Sequence, residues 1–65
     1  MKNPNRMYGN FVICADGNKY YNWEYEKFMA NIADGTGYDS KKNANYVIDK
    51  IKSQFPETKL TVIFD

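Results

Sequence analysis

The chain has 65 residues, a formal net charge of +1, no histidine and one cysteine. Residues 1–65 are therefore expected to make a single small domain without an intrachain disulfide. One cysteine and no histidine exclude a closed zinc site, and a Ser-His-Asp triad is impossible. Nine basic and eight acidic residues give neither the basic stripe of a strong nucleic-acid binder nor an acidic DNA mimic. We expect no metal and no cofactor, and nucleic acid is the least favoured partner.

The sequence also bears on location. No apolar run approaches the roughly 20 residues that a membrane span requires, and no apolar segment follows the polar N-terminus to make a signal peptide. The unpaired Cys14 fits a reducing compartment. We therefore expect a cytoplasmic protein with no membrane contact.

The first elements in chain order are an arm and a hairpin. Residues 1–7 are polar and contain Pro4, which is typical of a loose arm. Residues 8–14 and 19–23 read as two strands around the turn signal at 16–18.

The register of this hairpin follows from its apolar pattern. A two-residue loop places Ile13 opposite Tyr20. A three-residue loop places Ile13 opposite Tyr21. It also places Phe11 opposite Trp23, so that four large apolar groups share one face. Since a one-residue slip moves side chains to the other face, the pattern favours the three-residue loop.

A first helix is predicted over 23–33. Asn22 is a suitable N-cap, and the acidic Glu24 and Glu26 lie in the first turn, where the helix dipole favours them. Gly35 is suited to the position after the helix. The apolar residues recur with helical spacing in one stripe: Tyr25, Phe28, Met29 and Ile32.

A second helix is predicted over 40–54, with Asp39 or Ser40 as N-cap and Pro56 as the stop. A last strand over 58–64 alternates apolar and polar residues. The helix carries its own apolar stripe: Ala44, Val47, Ile48, Ile51 and Phe55.

The resulting order is ββααβ, a two-layer α+β sandwich with a three-stranded sheet, an N-terminal hairpin and two helices on one face. We favour parallel pairing of the last strand with the first, although antiparallel pairing with the second stays open. The predicted core face carries Phe11, Ile13, Tyr21, Trp23, Leu60, Val62 and Phe64. The predicted outer face carries Val12, Cys14, Tyr20 and Ile63.

The loop before the second helix is a candidate anion site. Its two glycines permit close backbone approach to a ligand, and the following helix N-terminus offers free N–H groups. The spacing matches neither a P-loop nor the dinucleotide fingerprint, and a plain helix–helix connection with solvated lysines explains the same residues. The candidate anion-binding residues are Gly35, Thr36, Gly37, Ser40, Lys41 and Lys42.

Eleven aromatic residues, six of them tyrosine, exceed what one small core can bury. Tyrosine is common at interaction hot spots. The apolar outer face, an open sheet edge and the small core also predict a homodimer or higher oligomer. The interface candidates are Val12, Tyr20, Tyr38, Tyr46 and Ile63.

Catalysis is disfavoured. Cys14 has no histidine to activate it and is suited to packing. The carboxylates lie mostly at turns, caps and helix starts, and no acid–base pair is indicated. We expect no enzymatic activity and no catalytic residues.

Small size, surplus tyrosine and the lack of cofactor chemistry are typical of phage or mobile-element proteins of the anti-defence type. The first hypothesis is a homo-oligomeric binding protein that inhibits or antagonises a host protein. The second is a nucleotide-binding module or sponge that sequesters a phosphate-bearing small molecule.

Overall fold

The computed structural model describes residues 3–65, which form a five-stranded antiparallel sheet and one α-helix. In chain order the elements are a 3-10 turn at Pro4–Arg6, β1 (Phe11–Ala15), β2 (Lys19–Asn22), β3 (Lys27–Met29), a 3-10 turn at Ile32–Asp34, β4 (Gly37–Tyr38), α1 (Lys41–Ile51), a 3-10 turn at Lys52–Gln54 and β5 (Leu60–Phe64). The expected three-stranded sheet with two helices is therefore wrong. None of the helices within 3–65 is long and apolar enough to cross a bilayer.

The sheet is built around β1. One edge of β1 pairs with β5 along its whole length, from Phe11 opposite Phe64 to Ala15 opposite Leu60. The other edge is shared: β2 pairs at Cys14 and Ala15, and β4 pairs at the Phe11 end. Since β2 leaves β1 after two pairs, β4 fits into the remaining half of that edge.

The first hairpin has the predicted register. Cys14 lies opposite Tyr20 and Ala15 opposite Lys19, so the loop is the three residues 16–18. Asp16 and Gly17 both have positive φ angles, 54° and 80°. Gly and Asp adopt positive φ angles more easily than most residues. The Asp16-Gly17 pair therefore predicts this turn from the sequence.

The predicted first helix is wrong, because residues 23–26 are the turn of a second hairpin, which β2 and β3 form. The Asn22 side-chain oxygen accepts a hydrogen bond from the Tyr25 backbone N–H at 3.0 Å, as a helix cap would. The chain then reverses at Glu26, whose φ is 52°, and β3 returns antiparallel along β2. An Asx turn and a helix start use the same side-chain bond, so the local signal did not distinguish them.

Tertiary packing decides in favour of the strand. Phe28 lies opposite Tyr21 with ring centroids 5.5 Å apart, and its ring is 4.7 Å from that of Phe55. Both pairs have the edge-to-face arrangement that aromatic rings prefer. These contacts outweigh the weak helical preference of the segment.

The second predicted helix is confirmed as α1, although the α-helical part is shorter. Ser40 is the N-cap and its hydroxyl accepts from the Asn43 backbone N–H at 3.1 Å. The helix ends at Ile51 and continues as a 3-10 turn to Gln54, before Pro56. Its apolar stripe packs on the sheet, with Ala44 and Ile51 buried.

The last strand, β5, has the expected partner but the opposite direction. Both β4 and β5 run antiparallel to β1, so they point the same way on its two edges. Helix α1 lies between them in sequence and carries the chain back to the starting end of the sheet. The sequence-based choice of a parallel pair missed the extra strands that reverse the chain.

The helix-side face of the sheet forms the core, in which Ile13, Tyr21, Ala44 and Ile51 are buried. Phe11, Leu60 and Val62 pack around them as predicted. Two residues of the predicted core face lie largely in solvent instead: Trp23 and Phe64 are 66% and 71% exposed. Trp23 falls beyond the end of β2, and Phe64 is the last residue of β5.

The other face of the sheet is covered by the chain itself. Val12 and Cys14 are 0% and 4% exposed, and Gly35 lies against Val12 and Tyr20. The Arg6 guanidinium donates to the carbonyl oxygens of Gly35 and of Ile32, the latter at 2.7 Å, which holds this covering segment in place.

The N-terminal segment expected to be a loose arm is anchored from Asn3 onward. Asn3 and Asn5 donate side-chain hydrogen bonds to the Ala33 carbonyl oxygen at 2.8 and 3.0 Å. Arg6 also pairs with Asp65 at 2.9 Å while its own side chain is only 9% exposed. Residues 1–2 of the expected arm lie outside the described residues.

Candidate binding groove

An open groove of about 420 Å³ lies beside β4 and the first turns of α1. Ligand pockets in proteins have volumes in this range and are mostly apolar, with a few polar groups. The groove is lined by Tyr8, Trp23, Thr36, Gly37, Tyr38, Asp39, Asn43 and Val47.

Hydrogen bonds to the segment before β4 place Trp23 on this groove. The Trp23 backbone N–H donates to the Thr36 hydroxyl at 2.9 Å, and the Thr36 N–H donates to the Tyr21 carbonyl oxygen at 2.9 Å. The buried Asn22 amide donates to the Asp34 carbonyl oxygen at 2.7 Å. The backbone of Trp23 is therefore fixed by hydrogen bonds, while its indole ring lies mostly in solvent.

Close backbone packing places Tyr8 on the groove. A Cβ on Gly9 would overlap the Tyr38 carbonyl oxygen, and a Cβ on Gly37 would overlap the Gly9 carbonyl oxygen. Glycine at both positions lets the segment after Tyr8 run directly against β4. Tyr8 is 78% exposed, so its ring lines the groove from the solvent side.

The floor and the polar end of the groove come from β4 and α1. Tyr38 and Val47 are half-buried and pack against the core. The Asn43 side-chain amide donates to the Asp39 carboxylate, and Asp39 is exposed. Asp39 is the single charged residue that lines the groove within the described part of the chain, so the site is weakly acidic.

Tyr38 on the groove and Tyr21 in the core both have a raised pKa. Burial, with a smaller contribution from Tyr21, raises the pKa of Tyr38 to about 12. Burial, and then the negative charge of Glu26, raise the pKa of Tyr21. The Tyr38 hydroxyl has no hydrogen-bond partner among residues 3–65. Both hydroxyls stay neutral at physiological pH.

The structure separates the predicted interface candidates. Only Tyr38 lines the groove. Val12 is buried, and Tyr20 and Ile63 are half-buried on the face covered by the chain. Val12 is therefore not part of an exposed apolar face, which was one basis for expecting a dimer. Tyr46 is exposed on α1, where Lys50 Nζ lies 5.1 Å from its ring centroid.

Of the predicted anion-binding residues, Thr36 and Gly37 line the groove and the others do not. The Gly35 N–H donates to the Ile32 carbonyl oxygen at 3.0 Å, and the Thr36 N–H is taken by Tyr21. Gly37 lies in β4, and the Ser40 hydroxyl caps α1. Lys41 and Lys42 are exposed and do not line the groove. The glycines of this loop serve backbone packing.

The groove residues that were not predicted as site residues are Tyr8, Trp23, Asp39, Asn43 and Val47. The predicted strands contain Tyr8 and Trp23, with Trp23 on the core face and also at the start of the predicted first helix. The charged run after Trp23, Glu24 and Glu26 around Tyr25, was a signal that this stretch faces solvent. Among residues 3–65 no group of three or more Cys, Asp or Glu side chains is placed to hold a metal ion.

Comparison with protein-family models, with curated proteins and with solved structures finds no match to this chain.

Proposed function

We propose that the protein is a small non-enzymatic binding protein whose groove holds an apolar or aromatic side chain of a target protein. The observation that carries this proposal is the pair of exposed rings, Tyr8 and Trp23, on a concave apolar surface. Exposed large aromatic side chains beside a pocket are the usual anchors of protein interfaces.

The backbone around the groove supports a binding role. Trp23 and Tyr8 extend from segments fixed by hydrogen bonds and by glycine packing, so little backbone entropy is lost when a partner binds. Preorganised sites of this kind gain affinity because the ordering cost is already met in the free protein.

The charges favour a protein segment over a nucleotide. No lysine or arginine of the described chain lines the groove, and Asp39 is a carboxylate at its rim. A phosphate would be repelled there, whereas a basic residue next to the apolar anchor would be attracted and would contact the faces of the rings. The target segment therefore combines an apolar anchor with an adjacent lysine or arginine.

Within this proposal, the narrower role is that of an antagonist. A protein of 7.6 kDa whose groove holds the anchor side chain of a larger protein also covers the surface around that side chain. It inhibits the larger protein by blocking this surface. The small size, the surplus of tyrosine and the groove are all consistent with such a role.

A selection from a random peptide library on the immobilised protein tests the groove. We expect enriched peptides to share a large apolar residue beside a basic one. Replacing Trp23 or Tyr8 by Ala should weaken their binding roughly 30-fold each, which corresponds to about 2 kcal/mol. Trp23 is the sole tryptophan of the chain, so its fluorescence reports occupancy directly.

Matched controls lie next to each anchor. Tyr25 and Met7 are 64% and 75% exposed but do not line the groove, so Tyr25→Ala and Met7→Ala should leave binding unchanged. Peptides that bind the Trp23→Ala variant as tightly as wild type would contradict the proposal. So would a shift of Trp23 fluorescence by mono-, di- or cyclic nucleotides but by no peptide, which would favour the nucleotide-binding alternative.

A further inference from the structure

The outer edge of β5 is open in the described chain. Strand β5 pairs with β1 on one side, and no other strand of residues 3–65 pairs with it. An open edge of five residues with mostly apolar side chains is a template for another strand. Its last residue, Phe64, is largely exposed.

The hydrogen bonds to β1 show which residues face outward. The Asp16 N–H donates to the Lys59 carbonyl oxygen at 2.9 Å, and the Asp65 N–H donates to the Asn10 carbonyl oxygen at 2.8 Å. In an antiparallel pair the hydrogen-bonded residues alternate along the strand. Positions 59, 61, 63 and 65 therefore turn their backbone groups toward β1, and Leu60, Val62 and Phe64 turn theirs toward the open edge.

We propose that β5 pairs antiparallel with β5 of a second copy of this chain, with Val62 on the two-fold axis. In that register Val62 faces its own counterpart and Leu60 faces Phe64 of the second copy. Every outward residue finds an outward partner within the strand, which allows about six intermolecular backbone hydrogen bonds.

Charge complementarity favours a second copy of this chain as the partner of the open β5 edge. It also favours this register over its neighbours. With Val62 on the axis, Lys59 of each copy lies opposite Asp65 of the other. Lys59 is exposed, and the Asp65 side chain is 39% exposed beside its partner Arg6. If the register shifts by two residues in either direction, both ion pairs are lost. One of the residues that face the open edge then lies opposite a position outside β5 of the other copy. Opposite charges directly across a strand pair are favourable.

The pairing leaves the groove free. The groove lies by β4, on the edge of β1 opposite to β5. A two-fold axis perpendicular to the sheet joins the two sheets into one, with a groove at each far end. This inference does not rest on the proposed function, since neither Tyr8 nor Trp23 takes part.

Sedimentation equilibrium over a range of concentrations tests the dimer, with an expected mass of twice 7.6 kDa. Lys59→Glu should raise the dimer Kd about tenfold, because two attractive pairs become repulsive. Lys42→Glu makes the same charge change on an exposed residue of α1 and should leave the Kd unchanged. A monomer at every concentration would overturn the proposal, as would equal effects of the two variants.

Two substitutions at Phe64 isolate the backbone contribution. Phe64→Pro removes the ring and the outward N–H, whereas Phe64→Thr removes only the ring. Because that N–H does not pair with β1, both variants should fold, which circular dichroism checks. We expect the proline variant to lose the dimer and the threonine variant to keep it. A dimer that survives Phe64→Pro would show that the copies associate through another surface.

The register has its own test. Thr61 of one copy lies opposite Ile63 of the other, so a variant with cysteine at both positions should form an intermolecular disulfide on oxidation. The variants are made in a Cys14→Ala background, because Cys14 lies opposite Thr61 in the same chain and would compete for the disulfide. Each single-cysteine variant should form much less, since its cysteine lies two positions from its counterpart. Equal cross-linking by the single variants would overturn the register.

Discussion

The two faces of the sheet are covered by different means. On one face α1 contributes apolar side chains, and Ile13 and Tyr21 are buried beneath it. On the other, a 3-10 turn and Gly35 lie over Val12, held by hydrogen bonds from Arg6 to backbone carbonyls. A short irregular segment cannot present a long apolar stripe, so it depends on polar anchoring. Equal burial therefore does not imply equal kinds of stabilisation.

The largest effect is expected under the helix. Ile13→Ala should lower the free energy of unfolding by about 2–5 kcal/mol, because it empties a packed site. Val12→Ala removes fewer atoms from the face covered by the irregular segment and should cost about 1–3 kcal/mol. Urea unfolding of both variants measures the difference. A greater loss for Val12 would mean that the irregular cover packs as well as the helix does.

Arg6→Ala tests the polar anchoring itself. It leaves carbonyl oxygens of Ile32 and Gly35 without their donor, and we expect a loss of about 2–3 kcal/mol. Lys52→Ala is the control, since the exposed Lys52–Asp49 pair at 3.2 Å should contribute less than about 0.5 kcal/mol. Should both variants unfold at the same urea concentration, the anchoring role of Arg6 would be wrong.

Gly35→Ala tests how closely the irregular segment approaches the sheet. A Cβ there would lie 2.8 Å from Tyr20 Cβ and 2.9 Å from Val12 Cγ1, and such overpacking costs about 1–3 kcal/mol. The Val12→Ala background removes one of the two obstructing groups. The cost of Gly35→Ala should therefore be smaller in that background, as a double-mutant cycle in urea would show. Strict additivity of the two changes would contradict this contact.

Tyr38→Phe should have the smallest effect at neutral pH, between about zero and 1 kcal/mol in the stabilising direction, since the hydroxyl has no partner. At high pH the two proteins should diverge. The folded pKa of Tyr38 is raised to about 12 from the model-compound value of 10.0, so only the unfolded chain loses this proton between those values. Wild-type stability therefore falls as pH rises from about 10 to 12.

Every other titratable group is present in both wild type and Tyr38→Phe, so the difference between the stabilities of the two proteins isolates Tyr38. Thermal unfolding across this pH range measures it. Parallel stability curves above pH 10 would mean that the Tyr38 hydroxyl is not held away from solvent.

Elements with strong local signals were predictable from the sequence. The first hairpin has Asp16 and Gly17 in its turn, and α1 has Ser40 at its start and Pro56 after its end. The partner of β5 was also correct. Each of these depends on residues close in sequence or on one continuous apolar run.

The remaining parts depend on contacts that are distant in sequence. Strand β4 has only two residues, too few for any periodicity. The β2–β3 hairpin is decided by Phe28 packing on Phe55. In the groove, Tyr38 was a candidate from sequence, but Trp23 was not, because its position follows from a hydrogen bond to Thr36 across the fold.

The arrangement of strands around β1 also predicts an order of folding. The three-residue turn lets β1 and β2 meet early, since hairpins form in about 1–10 μs. Strand β5 joins later, because its pairs with β1 link residues some 45 to 53 positions apart in sequence. Until then an edge of β1 stays unpaired and the Cys14 thiol, buried in the folded protein, is open to oxidants. Aggregation and oxidation should therefore act mainly on chains that have not yet placed β5.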